Sequence, residues 1–214
     1  MGKLEEEGLI RGWGMCNDNC YGLTSSVLIS KQMGYQGPIS LQNDYSLINR
    51  RIEEHGISEA MSSGNLTVGF MAYNVLAGGR LTGKYNDPNP NIMNYRGRYD
   101  EGGWGRTLYR YKSNPAIAAT SRYEKLAKKF KLSLTELALR YPRDRVAVTT
   151  SLIGHTSMKQ LEESIVAYQK KEPLSEELRW LIDREHMLER NPIWNSNSVG
   201  KDWYGEGEIG EPIP

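Results

Sequence analysis

Three short strand-like segments recur along the first third of the chain, and each is followed by a stretch with helical spacing. They begin at Leu9, Pro38 and Val68, so the interval between successive starts is about 29 residues. That interval accommodates a strand, a helix and two connecting turns, which is the repeating unit of a parallel sheet. The sequence therefore predicts an α/β fold built from βα units.

Local patterns give the expected elements. Four strands are predicted, at residues 9–15, 38–42, 68–73 and 146–153. Helices are predicted at residues 3–7, 21–33, 49–61, 114–130, 134–141 and 175–188, with a further helix capped by Thr156 or Ser157. The last of these is expected to bury Met158, Leu161, Ile165 and Tyr168 on one face, and Pro142 is expected to end the helix before it. Residues 1–190 are predicted to form one domain, and residues 191–214 an irregular C-terminal tail.

Charge and composition exclude several classes of protein. The formal net charge is +1, which gives no basis for a general nucleic-acid or anionic-membrane surface. No apolar run reaches the ~18–20 residues of a membrane helix, and no signal-peptide pattern follows Met1. Cys16 and Cys20 lie far from the three histidines, so no metal site is predicted. We therefore expect a cytoplasmic protein with reduced thiols and with no nucleic-acid, membrane or metal partner.

The carboxyl ends of the predicted strands carry side chains suited to a dinucleotide. In parallel α/β folds the ligand lies at these ends. The residues found there are Cys16 and Asn17, then Gln42 and Asn43, then Tyr73, and finally Gly154, His155 and Thr156. Side-chain amides both donate and accept hydrogen bonds, an aromatic ring stacks on a flat heterocycle, and a helix N-terminus attracts anions. Together these properties favour a dinucleotide lying across the strand ends.

The third predicted strand runs directly into a glycine turn. Gly78 and Gly79 follow it closely, and Lys84 comes shortly afterwards. Glycines let the backbone approach a ligand closely, and a lysine supplies a point charge suited to phosphate. A glycine pair after a strand is also typical of an ordinary turn. The glycines therefore indicate a ligand site only in combination with the polar and aromatic residues at the other strand ends.

Four motifs resemble those of the aldo-keto reductase family, in the branch that also holds the potassium-channel β-subunits. They read WGMCN, SLQNDYSLINR, FMAYNVLAGGRLTGKY and SLIGHTSMKQLEES, and they occur in the family's order and spacing. The resemblance extends from Gly2 to about Met187. It implies a (β/α)8 barrel that uses NADP(H) without a Rossmann fingerprint.

The resemblance also implies a role for each matching residue. Asn17 and Gln42 would bind the nicotinamide carboxamide, and Tyr73 would stack on the nicotinamide ring. The pyrophosphate would be lined by Leu76, Gly78, Gly79 and Lys84. The adenosine half with its 2′-phosphate would be held by Gly154, Thr156, Gln160 and Glu163, with Arg106 or Arg110 adding a cation. Departures from the family pattern are Cys16 and Ile153, which replace Ser and Pro, Asn74-Val75, which replaces Ser-Pro, and Ser164, which replaces Asn.

The family's catalytic Asp, Tyr, Lys and His come from its first four strands, and no residue here matches them. The resemblance thus implies the C-terminal half of a (β/α)8 TIM barrel, an incomplete barrel of about four parallel strands with flanking helices. Its expected function is the NADP(H)-binding half of an aldo-keto oxidoreductase, inactive alone and acting on a small-molecule carbonyl substrate when completed. The alternative is a non-catalytic half-barrel that self-associates or pairs with another chain through its exposed strand edges.

Two segments contain aromatic side chains for which the sequence allows more than one role. Residues 86–113 would flank the substrate in an intact barrel or contact a partner, and they contain Tyr95, Arg96, Tyr99 and Trp104. In the tail, Trp194, Trp203 and Tyr204 would pack across the barrel mouth or cover an exposed core.

Overall fold

The computed structural model describes residues 1–86, 111 and 113–193, and its described strands form one sheet. The order is β1-β2-β3-β4, and every neighbouring pair is parallel. The strands are β1 Gly14–Cys16, β2 Ser40–Asp44, β3 Gly69–Tyr73 and β4 Thr150–Ser151. The predicted α/β fold with about four parallel strands is confirmed.

Helices connect these strands and follow them. They are α1 Gly2–Glu6, α2 Cys20–Gln32, α3 Arg51–Glu54, α4 Ile57–Met61, a 3-10 helix Ala77–Thr82, α5 Asn114–Lys129, α6 Leu134–Arg143, α7 Met158–Gln169 and α8 Glu176–Leu188. A side chain caps the N-terminus of each longer helix by accepting a backbone N–H bond. The caps are Asn19, Ser113, Ser133, Ser157 and Ser175.

Two of the predicted strands are much shorter than expected. Over residues 9–15 only the last two belong to β1, because the N–H groups of Leu9 and Ile10 bond back to the carbonyl oxygen of Leu4 at the end of α1. Over residues 146–153 only Thr150–Ser151 forms β4, and the Val148 N–H closes a turn on the Arg145 carbonyl. Both segments were predicted as strands from their apolar composition. In the structure, however, their backbone N–H groups bond within local turns and are not available for pairing with a neighbouring strand.

Three of the helix predictions also need correction. The helix expected at 49–61 is broken at Gly56, whose φ of 72° places it in the left-handed region. α6 continues through Pro142 to Arg143, and beyond the proline the N–H of Asp144 still bonds to the Arg140 carbonyl. On α7 the expected apolar face is wrong in part: Leu161 and Tyr168 are half-buried, but Met158 and Ile165 are exposed. The small residues Ser164 and Ala167 are buried instead.

The sheet buries one face and leaves the other open. Leu41, Phe70 and Ala72 are fully buried and belong to the main hydrophobic core. The intervening side chains of Gln42 and Met71, which are partners in register, stay partly exposed. Parallel sheets are normally covered on both faces, so the open face of the described sheet is an unusual feature that bears on function.

A buried polar cluster ties α3 to α6 and α8. The side chain of Arg50 is 2% exposed, bonds to Asp183 at 2.7 Å and to the Ile182 carbonyl at 3.1 Å, and lies 4.7 Å from the centre of the Tyr141 ring. The Tyr141 hydroxyl lies 3.0 Å from the Tyr45 hydroxyl, and burial raises the pKa of both phenols. The cluster thus gives the buried guanidinium of Arg50 an ion-pair partner and a hydrogen-bond partner. It also holds the three helices together behind the sheet.

We expect the stability of the protein to fall on acidification because of His186 on α8. Its ring bonds to Glu54 at 2.7 Å, and its side chain is 7% exposed. Burial lowers the pKa of His186, and nearby Arg50 acts in the same direction. The unfolded chain therefore takes up this proton first as the pH falls, and stability is lost below about pH 6.5. The hydrogen bond from His186 lowers the pKa of Glu54, which adds a further loss at more acidic pH.

The measurement is the melting temperature at about pH 7.5 and about pH 5.5. His186→Gln should flatten this dependence, whereas His55→Gln, which changes an exposed histidine, should leave it as in the unmodified chain. Equal pH dependence in all three proteins would contradict the assignment to His186.

Candidate functional site

Asn17, Gln42 and Tyr73 come together at the carboxyl ends of the first three strands. Cys16 at the end of β1 is in register with Gln42, and the next backbone N–H, that of Asn17, donates to the Gln42 carbonyl at 2.9 Å. From β3 the Tyr73 hydroxyl donates to Oδ1 of Asn17 at 2.6 Å. These three predicted site residues therefore form one constellation across three strands.

A cavity of about 370 Å³ lies beside this constellation. It is lined by Asn17, Asp18, Asn19, Asn43, Asp44, Arg51, Ile52, His55, Ile57 and Tyr73. Gln42 lies outside this lining, on the open face of the sheet. The cavity is thus polar, with Arg51 and His55 beside two carboxylates.

The glycine turn after β3 adopts a conformation that requires glycine. Gly78 and Gly79 have φ values of 64° and 98°, in the left-handed region. The N–H of Gly79 bonds to the Leu76 carbonyl at 2.8 Å. A Cβ atom on Gly79 would lie 3.2 Å from Cε and 3.4 Å from Nζ of Lys84. The four residues predicted to line a pyrophosphate thus lie together, with the lysine amine folded over the turn.

A buried chain of hydrogen bonds joins this turn to the end of β2, and sequence reasoning missed it. Nε of Arg80 donates to the Tyr111 carbonyl at 3.2 Å, and the Tyr111 hydroxyl donates to Asp44. Asp44 directly follows the predicted Asn43, but nothing in the sequence linked it to a tyrosine 67 positions away. The chain holds the glycine turn against the neighbouring strand.

The fourth strand end leads into the N-terminus of α7. Oε1 of Gln160 accepts hydrogen bonds from the backbone N–H and the hydroxyl of Thr156, at 2.8 and 3.1 Å. Ser164 bonds to the Gln160 carbonyl at 2.9 Å and lies 2.8 Å from Nε2 of His155. Thr156 and Gln160 are thus brought together, two residues after Gly154, whereas Glu163 is exposed further along the helix.

Several predicted features lie outside the described residues. They are Arg106 and Arg110, then Tyr95, Arg96, Tyr99 and Trp104 of the connecting segment, and Trp194, Trp203 and Tyr204 of the tail. Within residues 1–86, 111 and 113–193, no group of three or more His, Cys, Asp or Glu side chains could hold a metal ion. Over the same residues, every helix is too short or too polar to cross a membrane.

Comparison with known proteins identifies the fold family. Residues 1–183 match the Aldo/keto reductase family. An aldo-keto reductase of Babesia bovis is 31% identical over 192 residues, which cover 89% of this chain and 66% of that protein. Protein tas of Escherichia coli K12 is 27% identical over 90% of this chain and 52% of its own length. Aflatoxin B1 aldehyde reductase member 2 of Rattus norvegicus is 27% identical over 77% of this chain and 47% of its own.

The chain spans about half to two thirds of the length of these relatives. The family match itself covers most of the chain, including all four strands and α7. The chain therefore belongs to the aldo/keto reductase family, and this membership supports an oxidoreductase function.

Proposed function

We propose that this chain is the NADP(H)-binding half of an aldo-keto oxidoreductase that passes a hydride between nicotinamide and a carbonyl or alcohol. Family members generally use NAD(P)H. The observation that carries the proposal is the contact between Asn17 and Tyr73 at the ends of β1 and β3, with Gln42 on the strand between them. This constellation faces the end of the sheet at which parallel α/β folds bind ligands.

The described residues fit such a cofactor in two respects. The side-chain nitrogens of Asn17 and Gln42 make no hydrogen bond to any described residue, so both can bind a head group. Gly78 and Gly79 leave their side of the turn without side chains, beside the amine of Lys84. A pyrophosphate suits both the bare backbone and the nearby charge.

Each residue then has a definite task. Asn17 and Gln42 orient the head group, and Tyr73 stacks on its ring. The pyrophosphate is bound by Leu76, Gly78, Gly79 and Lys84, and the adenosine half with its 2′-phosphate by Gly154, Thr156, Gln160 and Glu163. The dinucleotide supplies the hydride when bound, and this chain contributes binding and orientation, with the acid–base residues coming from elsewhere.

We further propose that the sheet is the C-terminal half of a (β/α)8 barrel, in a branch similar to the potassium-channel β-subunits. Two observations support the half-barrel. One face of the described sheet is open, and the helices that follow the two edge strands expose apolar side chains. These are Leu28 and Ile29 on α2, Met33 directly after it, and Met158, Ile165 and Val166 on α7. Such surfaces at both edges favour continuation by further βα units.

The domain bounds 1–190 and 191–214, the cytoplasmic location and the need for a complementary half belong to the same proposal. The exposed edges also support the alternative, in which two copies of the half-barrel pair through β1 and β4 without catalysis.

A titration of NADPH fluorescence against the full chain tests the function. We expect saturable binding, and Lys84→Met should weaken it about 5-fold, because one exposed cation near phosphate contributes about 1 kcal/mol. Raising the salt concentration should reduce the difference between the two proteins. Lys125→Met, which changes an exposed lysine on α5, serves as the matched control and should bind as the unmodified chain does.

The outcomes separate the two functions. No fluorescence change at millimolar NADPH, with a stable dimer by light scattering, would reject cofactor binding and favour the interaction protein. Binding with equal affinity in the Lys84 and Lys125 variants would reject the assigned pyrophosphate site.

A further inference from the structure

We infer that Tyr111 is a positioning residue for the proposed dinucleotide, because it sets the spacing between the two parts of the site that the ligand must span. The inference rests on the proposed function and goes beyond it by giving a role to a buried side chain that does not touch the ligand. Tyr111 should therefore matter for binding the whole dinucleotide and not for binding its adenosine half.

The two parts of the site are joined by a connection that needs support. The nicotinamide end would lie at the strand ends, where Asn17 and Tyr73 meet, and the pyrophosphate on the glycine turn. The backbone between them has positive φ values at Asn74, Ala77 and Gly78, of 57°, 49° and 64°. A positive φ is strained for alanine, so contacts from outside the connection must keep its shape. The spacing of the two parts thus depends on what holds the glycine turn.

Tyr111 bonds to both parts at once. Its carbonyl oxygen accepts a hydrogen bond at 3.2 Å from Nε of Arg80, which belongs to the 3-10 helix that contains the two glycines. Its hydroxyl donates to the carboxylate of Asp44, the last residue of β2. Asp44 is the register partner of Tyr73. Tyr111 therefore forms a bridge from the glycine turn to the strand ends.

The bridge is almost completely buried. Tyr111 is fully buried, and Asp44 and Arg80 are 5% and 7% exposed. A hydroxyl that donates to a carboxylate makes a stronger hydrogen bond than a neutral pair, and burial shields this bond from water. Tyr111 is also fixed from a third side, because Ser113 donates to the Pro192 carbonyl at 2.8 Å. The bridge is thus suited to hold the glycine turn at one distance from the strand ends.

A fixed distance favours a ligand that contacts both parts. Once one end of such a ligand is bound, the effective concentration of the other end at its own part depends on the separation of the two parts. Without the bridge the glycine turn and the strand ends can move separately, and binding must first bring them to the correct separation. A ligand that contacts the glycine turn but does not reach the strand ends avoids this cost.

The binding of two ligands to the full chain tests this role. NADPH spans both parts, whereas adenosine 2′,5′-bisphosphate lacks the nicotinamide half and is followed by its displacement of NADPH. Tyr111→Phe keeps the ring and removes the hydroxyl. We expect this variant to bind NADPH about 10-fold more weakly, and the bisphosphate within about 2-fold of the unmodified chain. Equal weakening of both ligands, or unchanged binding of NADPH, would overturn the inference.

A double-mutant cycle shows whether Tyr111 acts through Asp44. Asp44→Ala alone should weaken NADPH binding by a factor similar to that of Tyr111→Phe. In the Tyr111→Phe background the same change should add less than about 2-fold, because the bond is already lost. Fully additive losses would mean that Asp44 does not act through the bridge. Tyr141→Phe removes another buried hydroxyl, which lies 3.0 Å from the Tyr45 hydroxyl, and this control should bind NADPH as the unmodified chain does.

The proposed function and the role of Tyr111 fail in different ways. If NADPH does not bind to the unmodified chain, the proposed function fails. If NADPH binds but the bisphosphate does not displace it, the chain has no separate adenosine part, and the inference about spacing fails. If both ligands bind and Tyr111→Phe weakens them equally or leaves both unchanged, the proposed function stands and only the role of Tyr111 is wrong.

Discussion

Phe70→Ala is expected to lower the free energy of unfolding by about 3–5 kcal/mol, the range for removing a buried ring from a core. Phe70 is fully buried in β3, on the face that packs against the helices. Its ring meets Tyr45 edge to face, with centroids 5.8 Å apart and planes at 84°. Tyr45 in turn stacks on Tyr141 at 5.8 Å, so the lost ring would leave a cavity beside groups already fixed by hydrogen bonds. Because these neighbours cannot move to fill the cavity, the loss in the free energy of unfolding should lie towards the upper end of that range.

Urea unfolding measured by tryptophan fluorescence gives the value. The matched control is the next residue, Met71, whose side chain is on the opposite, open face of the sheet. Met71→Ala should cost less than half as much as Phe70→Ala, because its side chain is already partly in water. Equal losses would show that the second face of the sheet is as well covered as the first, against the half-barrel proposal.

The sequence was sufficient for the fold class because hydrophobic runs and spacing are local signals. The runs that include Leu41 and Phe70 identified β2 and β3, since these strands are buried on one face and bounded by polar residues. The lengths of β1 and β4 were not predictable in the same way. Whether an apolar residue such as Leu9 or Val146 belongs to a strand depends on which backbone group its own N–H reaches, and that partner is set by tertiary structure.

The buried polar cluster behind the sheet was also beyond sequence reasoning. Arg50 and Asp183 are 133 positions apart, and Tyr45 and Tyr141 are 96 apart. Arginine is rarely buried without partners, so its expected place is the surface. Only the packing of α8 against α3 supplies the carboxylate and carbonyl that make this burial tolerable.

For the candidate site, the meeting of strand ends was predictable and the hydrogen bonds were not. Parallel strands place their carboxyl ends at one edge, which is why Asn17, Gln42 and Tyr73 could be grouped in advance. The direction of the bonds among them required coordinates, as did the link from Arg80 through Tyr111 to Asp44. The residue type shows which hydrogen bonds a side chain is able to make. The geometry shows which of its atoms are already bonded within the protein and which are left for a ligand.

Gly79→Ala is expected to weaken NADPH binding about 10-fold, equivalent to about 1.4 kcal/mol. Two effects combine at this position. A side chain at a φ of 98° is strained by about 1–2 kcal/mol. The new methyl group would also lie 3.2 Å from Cε of Lys84, so the lysine must move away from the turn. The loss should exceed that of Lys84→Met, because the methyl group also prevents close approach of the pyrophosphate to the backbone.

Gly34→Ala separates these two effects. Gly34 follows α2 at a φ of 78°, and a Cβ there would have no atom within 4 Å. This control should therefore lose a similar amount of stability from backbone strain, measured as a lower melting temperature, while it binds NADPH as the unmodified chain does. Equal loss of NADPH affinity in both variants would mean that general destabilisation explains the effect of Gly79→Ala. If only Gly79→Ala loses NADPH affinity, the loss is due to the contact between the glycine turn, Lys84 and the phosphates. Backbone strain is common to both variants, whereas only Gly79 lies close to the lysine.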